Sequence, residues 1–220
     1  MLTRAAISGH MSTIHHSPYY LVTLVFHDQS VDIAQNLRAL AETLRNHGMP
    51  GYTIHAGPLI RRESEYNDFT RFERQQAFNC LFHFARMVDI TYTTLLVEKR
   101  QLASGEELNV RIKKQLNAFL RSRLEQLTAY DKVILYYDHG QNELNSVLVS
   151  AFMECFTHVE FRKVNPADYK LFQAADMICT LELLAMKAER KSLTKSECAF
   201  FNSESRLLKN YIRQIRRKRI

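Results

Sequence analysis

Residues 169–190 read YKLFQAADMICTLELLAMKAER, an apolar helical pattern with the carboxylate of Asp176 set in its middle. Helical neighbours fall three and four positions apart, so Asp176 shares a face with Phe172, Cys179 and Leu183, flanked by Gln173 and Thr180. A lone ionised carboxylate on a buried face costs several kcal/mol unless a cation or hydrogen bonds compensate it. A metal ion and a salt bridge to Arg or Lys would each meet that need, and spacing alone leaves both open.

Working outward, the helix is opened by Asn165-Pro166-Ala167-Asp168: a capping Asn, Pro at the first position and an acid in the first turn. It is preceded by a strand, HVEFRKV (158–164), and by a helix from Asn142, ELNSVLVSAFMECF. Before that comes DKVILYYD (131–138), apolar in its centre and closed by His139-Gly140. A long amphipathic helix (106–127) and the strand ITYTTLLVEK (90–99) complete a strand–helix alternation, which argues an α/β sheet with helices on its faces. In the amino-terminal half, YYLVTLVFH (19–27) reads as a strand buried on both faces. Asp28 and Ser30 offer caps for a helix ending at His47-Gly48, YTIHA (52–56) reads as a short strand, and residues near 70–88 form a helix. Residues 1–18 are poorly patterned, 19–202 form one α/β domain, and 203–220 form a basic helix or tail.

Of 220 residues, 46% are hydrophobic and 24% charged, ordinary values for a globular protein. No apolar run reaches the roughly 18 residues a membrane span needs, and the first residues lack the apolar core of a secretory signal. The cysteines at 80, 155, 179 and 198 form no CxxC pair or zinc spacing, so a reduced, cytoplasmic protein is expected. The net charge is +7, and residues 187–220 alone hold eleven Lys/Arg against three Asp/Glu. That excess suits an acidic partner, with Arg213, Arg216, Arg217, Lys218 and Arg219 as candidate nucleic-acid contacts. A solvated helix end favoured by its own dipole fits equally well.

Asp138 ends the strongest strand, where side chains in such sheets often line the functional crevice. With Asp176 it could hold Mg2+ or Mn2+ through oxygen ligands for phosphoryl chemistry, or simply cap the following turn. His55 and Lys99, each at the end of a short apolar run, are candidates for orienting phosphate or moving a proton; Glu63 and Glu98 could extend a carboxylate cluster. Without a phosphate loop, a GxSxG elbow or a Cys/His dyad, covalent acyl chemistry is not expected.

Five segments, HSPYYLVTLVF, IHAGPLIRRE, VEK, VILYYDHG and LFQAADMICT, together resemble the bacterial and phage family catalogued as domain of unknown function 3800. The resemblance spans roughly residues 17–215, and its most specific piece is Gln173-Ala174-Ala175-Asp176. It implies a ribonuclease H-like mixed sheet flanked by helices, with carboxylates from strand ends and the last core helix gathered at a metal site. Asp138 matches the acid after the central strand; His55 and Lys99 fall at weaker motif positions. The family usually opens with a strand ending Asp-Glu-Ser-Gly, whereas residues 6–9 read Ala-Ile-Ser-Gly, so the expectation is either a mis-framed amino terminus or a degenerate member in which the first strand and its metal ligand are missing. Fewer carboxylates mean weaker divalent binding. The implied activity is a divalent-metal-dependent nuclease or phosphodiesterase, weakened or lost in this chain. The alternatives are a non-catalytic nucleic-acid-binding or protein-interaction module of the same fold, and a hydrolase of a small phosphorylated substrate.

Overall fold

The computed structural model describes residues 4–12, 18–102, 104–138, 142–165 and 167–220. Its centre is a five-stranded sheet in the order β3-β2-β1-β4-β5. The strands are β1 (Arg4–Ser12), β2 (Tyr19–Asp28), β3 (Thr91–Glu98), β4 (Lys132–Asp138) and β5 (Val159–Val164). β1, β2 and β3 pair antiparallel; β4 then joins the far side of β1 in parallel, and β5 joins β4 in parallel. Three antiparallel neighbours, the third reached only after the helical residues 29–90, followed by two parallel strands reached through helical crossovers, make this a ribonuclease H-like α/β fold.

The first strand is therefore present, contrary to expectation, and it occupies the middle of the sheet. Its sequence, RAAISGHMS, has little β-branched or aromatic content to announce it. What makes it a strand is having a neighbour on each side: Ser8 pairs with Val25 of β2 and with Tyr136 of β4.

β2 is buried on both faces, as its unbroken apolar run requires. Tyr20, Val22, Leu24 and Phe26 pack with Leu95, Val97, Val133 and Leu135 beneath α4 (Gly105–Ser122) and α6 (Asn142–Cys155). On the opposite face Tyr19 and Leu21 meet Cys179 and Leu183 of α7 (Lys170–Glu189), and Val25 joins a larger core. That core is completed by α1 (Ala34–Asn46), α2 (Ala56–Arg61), α3 (Arg71–Met87) and the carboxyl-terminal segment. α5 (Leu124–Thr128) follows α4 after a break at Arg123, and α8 (Lys195–Phe200) follows α7.

Local chemistry sets several of these ends. Thr70 and Glu73 form a reciprocal capping box on α3, and Thr194 and Glu197 form one on α8. Other expected caps differ. The Asp28 carboxylate accepts from the Ser30 N–H in a turn, and α1 begins only at Ala34, whose N–H is met by Asp32. Asn165 likewise closes a turn with Ala167, and Tyr169 takes the cap position of α7; Pro166, His139 and Gly140 lie outside the described residues.

The segment after α8 is helical, including a π-helical stretch over Leu207–Ile212, and it buries Leu207, Ile212 and Ile215 in the core. Its end lies along the outer side of β3, where the Ile220 N–H donates to the Tyr92 carbonyl at 2.9 Å and Arg219 makes a parallel bridge to Tyr92. Further along that side, the Gln115 amide of α4 both accepts from the Leu96 N–H and donates to the Leu96 carbonyl.

Candidate functional site

α7 crosses the sheet diagonally. Near its start Phe172 packs on Ile134, Tyr136 and Val164 of β4 and β5; two turns later Cys179 and Leu183 rest on β2. Asp176, on the same stripe and 7% exposed, lies between those two contacts, on a helix that also packs against β1. The carboxyl ends of β1, β4 and β5 all lie toward one end of the sheet. Asp138 closes β4 there, paired with Val164.

The β1–β4 register identifies the residue next to Asp138. Ser8 and Tyr136 are the last pair between these strands, and the same register carried two residues further would set Asp138 level with His10, which pairs with Thr23 on its other side. Ala6, set against the first acid of Asp-Glu-Ser-Gly by the resemblance, is instead level with Ile134, four residues behind Asp138, or roughly 13 Å along the strand. His10 belongs to the segment read from sequence as poorly patterned, and only the register reveals its place.

The Asp176 Oδ2 accepts from the Ala56 N–H at 2.8 Å, at the first residue of α2. Gln173, one turn earlier, accepts from the Ile54 N–H at 3.1 Å, and Lys170, one turn earlier again, donates to the Tyr52 carbonyl at 3.3 Å. Successive turns of α7 thus bind alternate residues of the segment 52–56. From the other side, the Tyr66 hydroxyl accepts from the His55 N–H at 2.8 Å and donates to the Thr53 carbonyl at 3.2 Å. Residues 52–56 are therefore not the expected strand. Their backbone groups are satisfied by side chains rather than by a sheet neighbour, and the chain then turns directly into α2. Burial holds the Lys170 ammonium below its ordinary pKa, and burial likewise pushes the Tyr66 phenol well above its own.

His55 is exposed at the cap of α2, one residue from the atom that Asp176 binds, so the fold brings these two candidates together. Lys99 stands apart. It follows the end of β3, its N–H donating to the Pro18 carbonyl, with β2 and β1 lying between β3 and β4. Glu98 pairs with Arg190 and Glu63 with Arg61, and neither is near Asp176 in the contacts described.

A second buried acid on α7 escaped the sequence reading. Glu182, 4% exposed, accepts from the Tyr92 hydroxyl at 2.7 Å and is gripped by Arg216, whose Nη2 lies 2.7 Å from Oε2. Arg219 adds a longer contact at 3.8 Å. Of the five basic candidates near the carboxyl terminus, Arg216 and Arg219 therefore face an internal acid, and Lys218 donates to the Val88 carbonyl at 2.7 Å. Arg213 and Arg217 are exposed.

A hard divalent cation needs several oxygen donors. Asp176 and Asp138 are of the right chemistry, but β1 contains no acid to join them. Among the described residues no group of three His, Cys, Asp or Glu side chains is set to hold a metal ion. No helix among them is long and apolar enough to cross a membrane.

No family model and no curated protein sequence matches the chain. Among solved structures it is similar to ribonuclease HII in the PCNA:RNase HII complex from Archaeoglobus fulgidus, with 15% identity and a TM-score of 0.42 over 96% of this chain and 89% of that one. It is also similar to ribonuclease H2 from Pyrococcus horikoshii OT3, with 14% identity and a TM-score of 0.35 over 95% of this chain and 100% of that one. At these scores the likenesses add nothing to the strand order itself.

Proposed function

We propose that this chain is a ribonuclease H-like protein of the domain of unknown function 3800 family that acts on nucleic acid, hydrolysing phosphodiester bonds with Mg2+ or Mn2+ held by Asp138 and Asp176. The observation that carries this reading is topological: α7 takes Asp176 across the central strand, and β4 ends in Asp138 at the carboxyl end of that same sheet. A divalent ion, when bound, polarises a phosphoryl oxygen and activates water. The protein's own part is to fix Asp176 against Ala56, to present His55 beside it for orienting phosphate, and to offer Arg213 and Arg217 to the nucleic-acid backbone.

A second reading is favoured by a specific observation. β1 brings no carboxylate between residues 4 and 12, and one oxygen of Asp176 is already committed to a backbone N–H. A non-catalytic module that binds nucleic acid through the same fold accounts for both.

Cleavage assays with Mg2+ and Mn2+ on single- and double-stranded DNA and RNA separate the two. Metal-dependent cleavage that disappears in Asp138→Asn and Asp176→Asn supports hydrolysis. Binding without cleavage under every condition supports the module, and cleavage that survives both substitutions sinks the assignment of these two residues.

A further inference from the structure

Where α2 ends and α3 begins, three guanidinium groups have no carboxylate partner among the described residues: Arg62, Arg71 and Arg74. Arg74 is 7% exposed, and its Nη1 donates to the carbonyls of Leu59 (2.7 Å) and Ile60 (3.1 Å) near the end of α2. Its Nε is buried with no hydrogen-bond partner, and the group lies 5.7 Å from the Phe200 ring centroid. Arg71 stands one turn earlier on α3 and reaches the Ala199 carbonyl of α8 at 3.4 Å. Arg62 directly follows α2, with its Nε on the Asn67 carbonyl at 2.9 Å, in a left-handed conformation (φ 61°) that is costly for a residue other than glycine.

Buried charges are normally paired, and a cation satisfied only by carbonyls is an exception. Of the acids in the same stretch, Glu63 binds Arg61 at 2.8 Å and Glu73 turns back to Thr70 in the capping box, while the exposed Glu65 and Asp68 make no ion pair with these arginines among the described residues. The carboxyl ends of α2 and α8 offset some of the charge, but a helix end is equivalent to only about half a unit, so two cancel roughly one of three. Burial, and after it the charges of Arg62 and Arg71, hold the Arg74 guanidinium below its ordinary pKa, which means that those charges act on one another.

We propose that Arg62, Arg71 and Arg74 form a phosphate-binding site, with the exposed Arg62 and Arg71 as direct contacts and the buried Arg74 as the fixed charge behind them. The site is distinct from the carboxylates. α2 begins at the partner of Asp176 and its carboxyl end meets Arg74, a span of roughly 9 Å for six residues. The phosphate is either a diester of a nucleic-acid strand or the phosphate of a small molecule. Either matches guanidinium donors in charge and geometry.

The test is titration of the full chain with inorganic phosphate, at ionic strength matched with chloride, followed by calorimetry and thermal unfolding, and in parallel with a single-stranded oligonucleotide. Phosphate should bind and raise the Tm. The double variant Arg62→Ala/Arg71→Ala, changed only at exposed positions, should keep its fold and bind phosphate weaker by on the order of tenfold or more for each guanidinium lost. Arg74→Lys, which keeps charge but loses the fork, should weaken it less. If the oligonucleotide also binds, is displaced by phosphate and loses affinity in the double variant, the ligand is a phosphodiester. Phosphate binding without that coupling makes it a free phosphorylated molecule. The Asp138→Asn/Asp176→Asn variant should retain phosphate binding even if hydrolysis is absent, which separates this site from the proposed chemistry. Stabilisation by phosphate no greater than by matched chloride, or undiminished in the Arg62→Ala/Arg71→Ala variant, overturns the proposal.

Discussion

Two acids lie buried on α7, six positions apart, and their surroundings differ. Glu182 is enclosed by an arginine and a tyrosine hydroxyl, with Arg219 behind. Asp176 is held to the backbone N–H of Ala56, within a row of α7 side chains that fastens residues 52–56. The first arrangement is a lock, joining α7, the edge strand β3 and the carboxyl-terminal segment through complementary charge. The second fixes the backbone of a turn that leads directly into α2. The same residue chemistry on one helix serves tertiary attachment at one end and construction of a candidate site at the other.

The largest effect is expected at Glu182. Arg216→Ala leaves a buried carboxylate with a tyrosine and a distant arginine, and should cost about 3 kcal/mol, at the lower end for a broken buried pair because Arg216 is itself one-third exposed. Urea denaturation measures it, and a loss under about 1 kcal/mol would reduce the lock to an ordinary surface pair.

Asp176 comes next. Asp176→Ala removes the acceptor for a buried N–H and should cost about 2 kcal/mol, whereas Asp176→Asn keeps an oxygen for Ala56 and should cost under about 1 kcal/mol. If both variants lose cleavage alike while only the first loses stability, Asp176 has a chemical role beyond the turn. Equal destabilisation by the two would mean that its charge matters to the fold.

Smaller effects are expected where the basic end faces solvent. Arg213→Ala and Arg217→Ala should leave stability within about 0.5 kcal/mol, while each lowers the salt dependence of nucleic-acid affinity by about one ion. Filter-binding across a salt series reads this, and an unchanged slope removes those two residues from the interface. The smallest effect is at β5, where hydrogen bonds from Arg162 and then Lys132 hold the Glu160 carboxyl down to about 2. Because the folded value lies below the unfolded one, near 4.3, its contribution is complete above that unfolded value and is lost as pH falls toward about 2. Glu160→Gln should flatten that part of the acid-unfolding curve.

Sequence legibility followed the same division. β2, β3, β4, β5 and the long helices could be read because burial leaves periodic or unbroken apolar runs, and Asp176 stood out against such a run. β1 could not, since its small and polar residues become a strand only through neighbours distant in sequence. YTIHA read as a strand because its residues suit one; the side chains that claim its backbone lie more than a hundred positions later or in the following loop. Glu182 was equally surrounded by apolar residues, and that same contrast could have found it. The internal partners of Arg216, Lys218 and Arg219 left no local trace, so the basic run looked more uniformly available than it is.

The outer side of β3 has a further consequence. An open sheet invites a strand from another molecule to add at its edge. On β3 two of the outward positions are already claimed, Tyr92 by Ile220 and Leu96 by Gln115. On β5 the opposite border carries three charged residues among six, Glu160, Arg162 and Lys163. One border is covered and the other charged, two separate defences against edge-to-edge aggregation in a sheet whose middle strand has little intrinsic preference to be one.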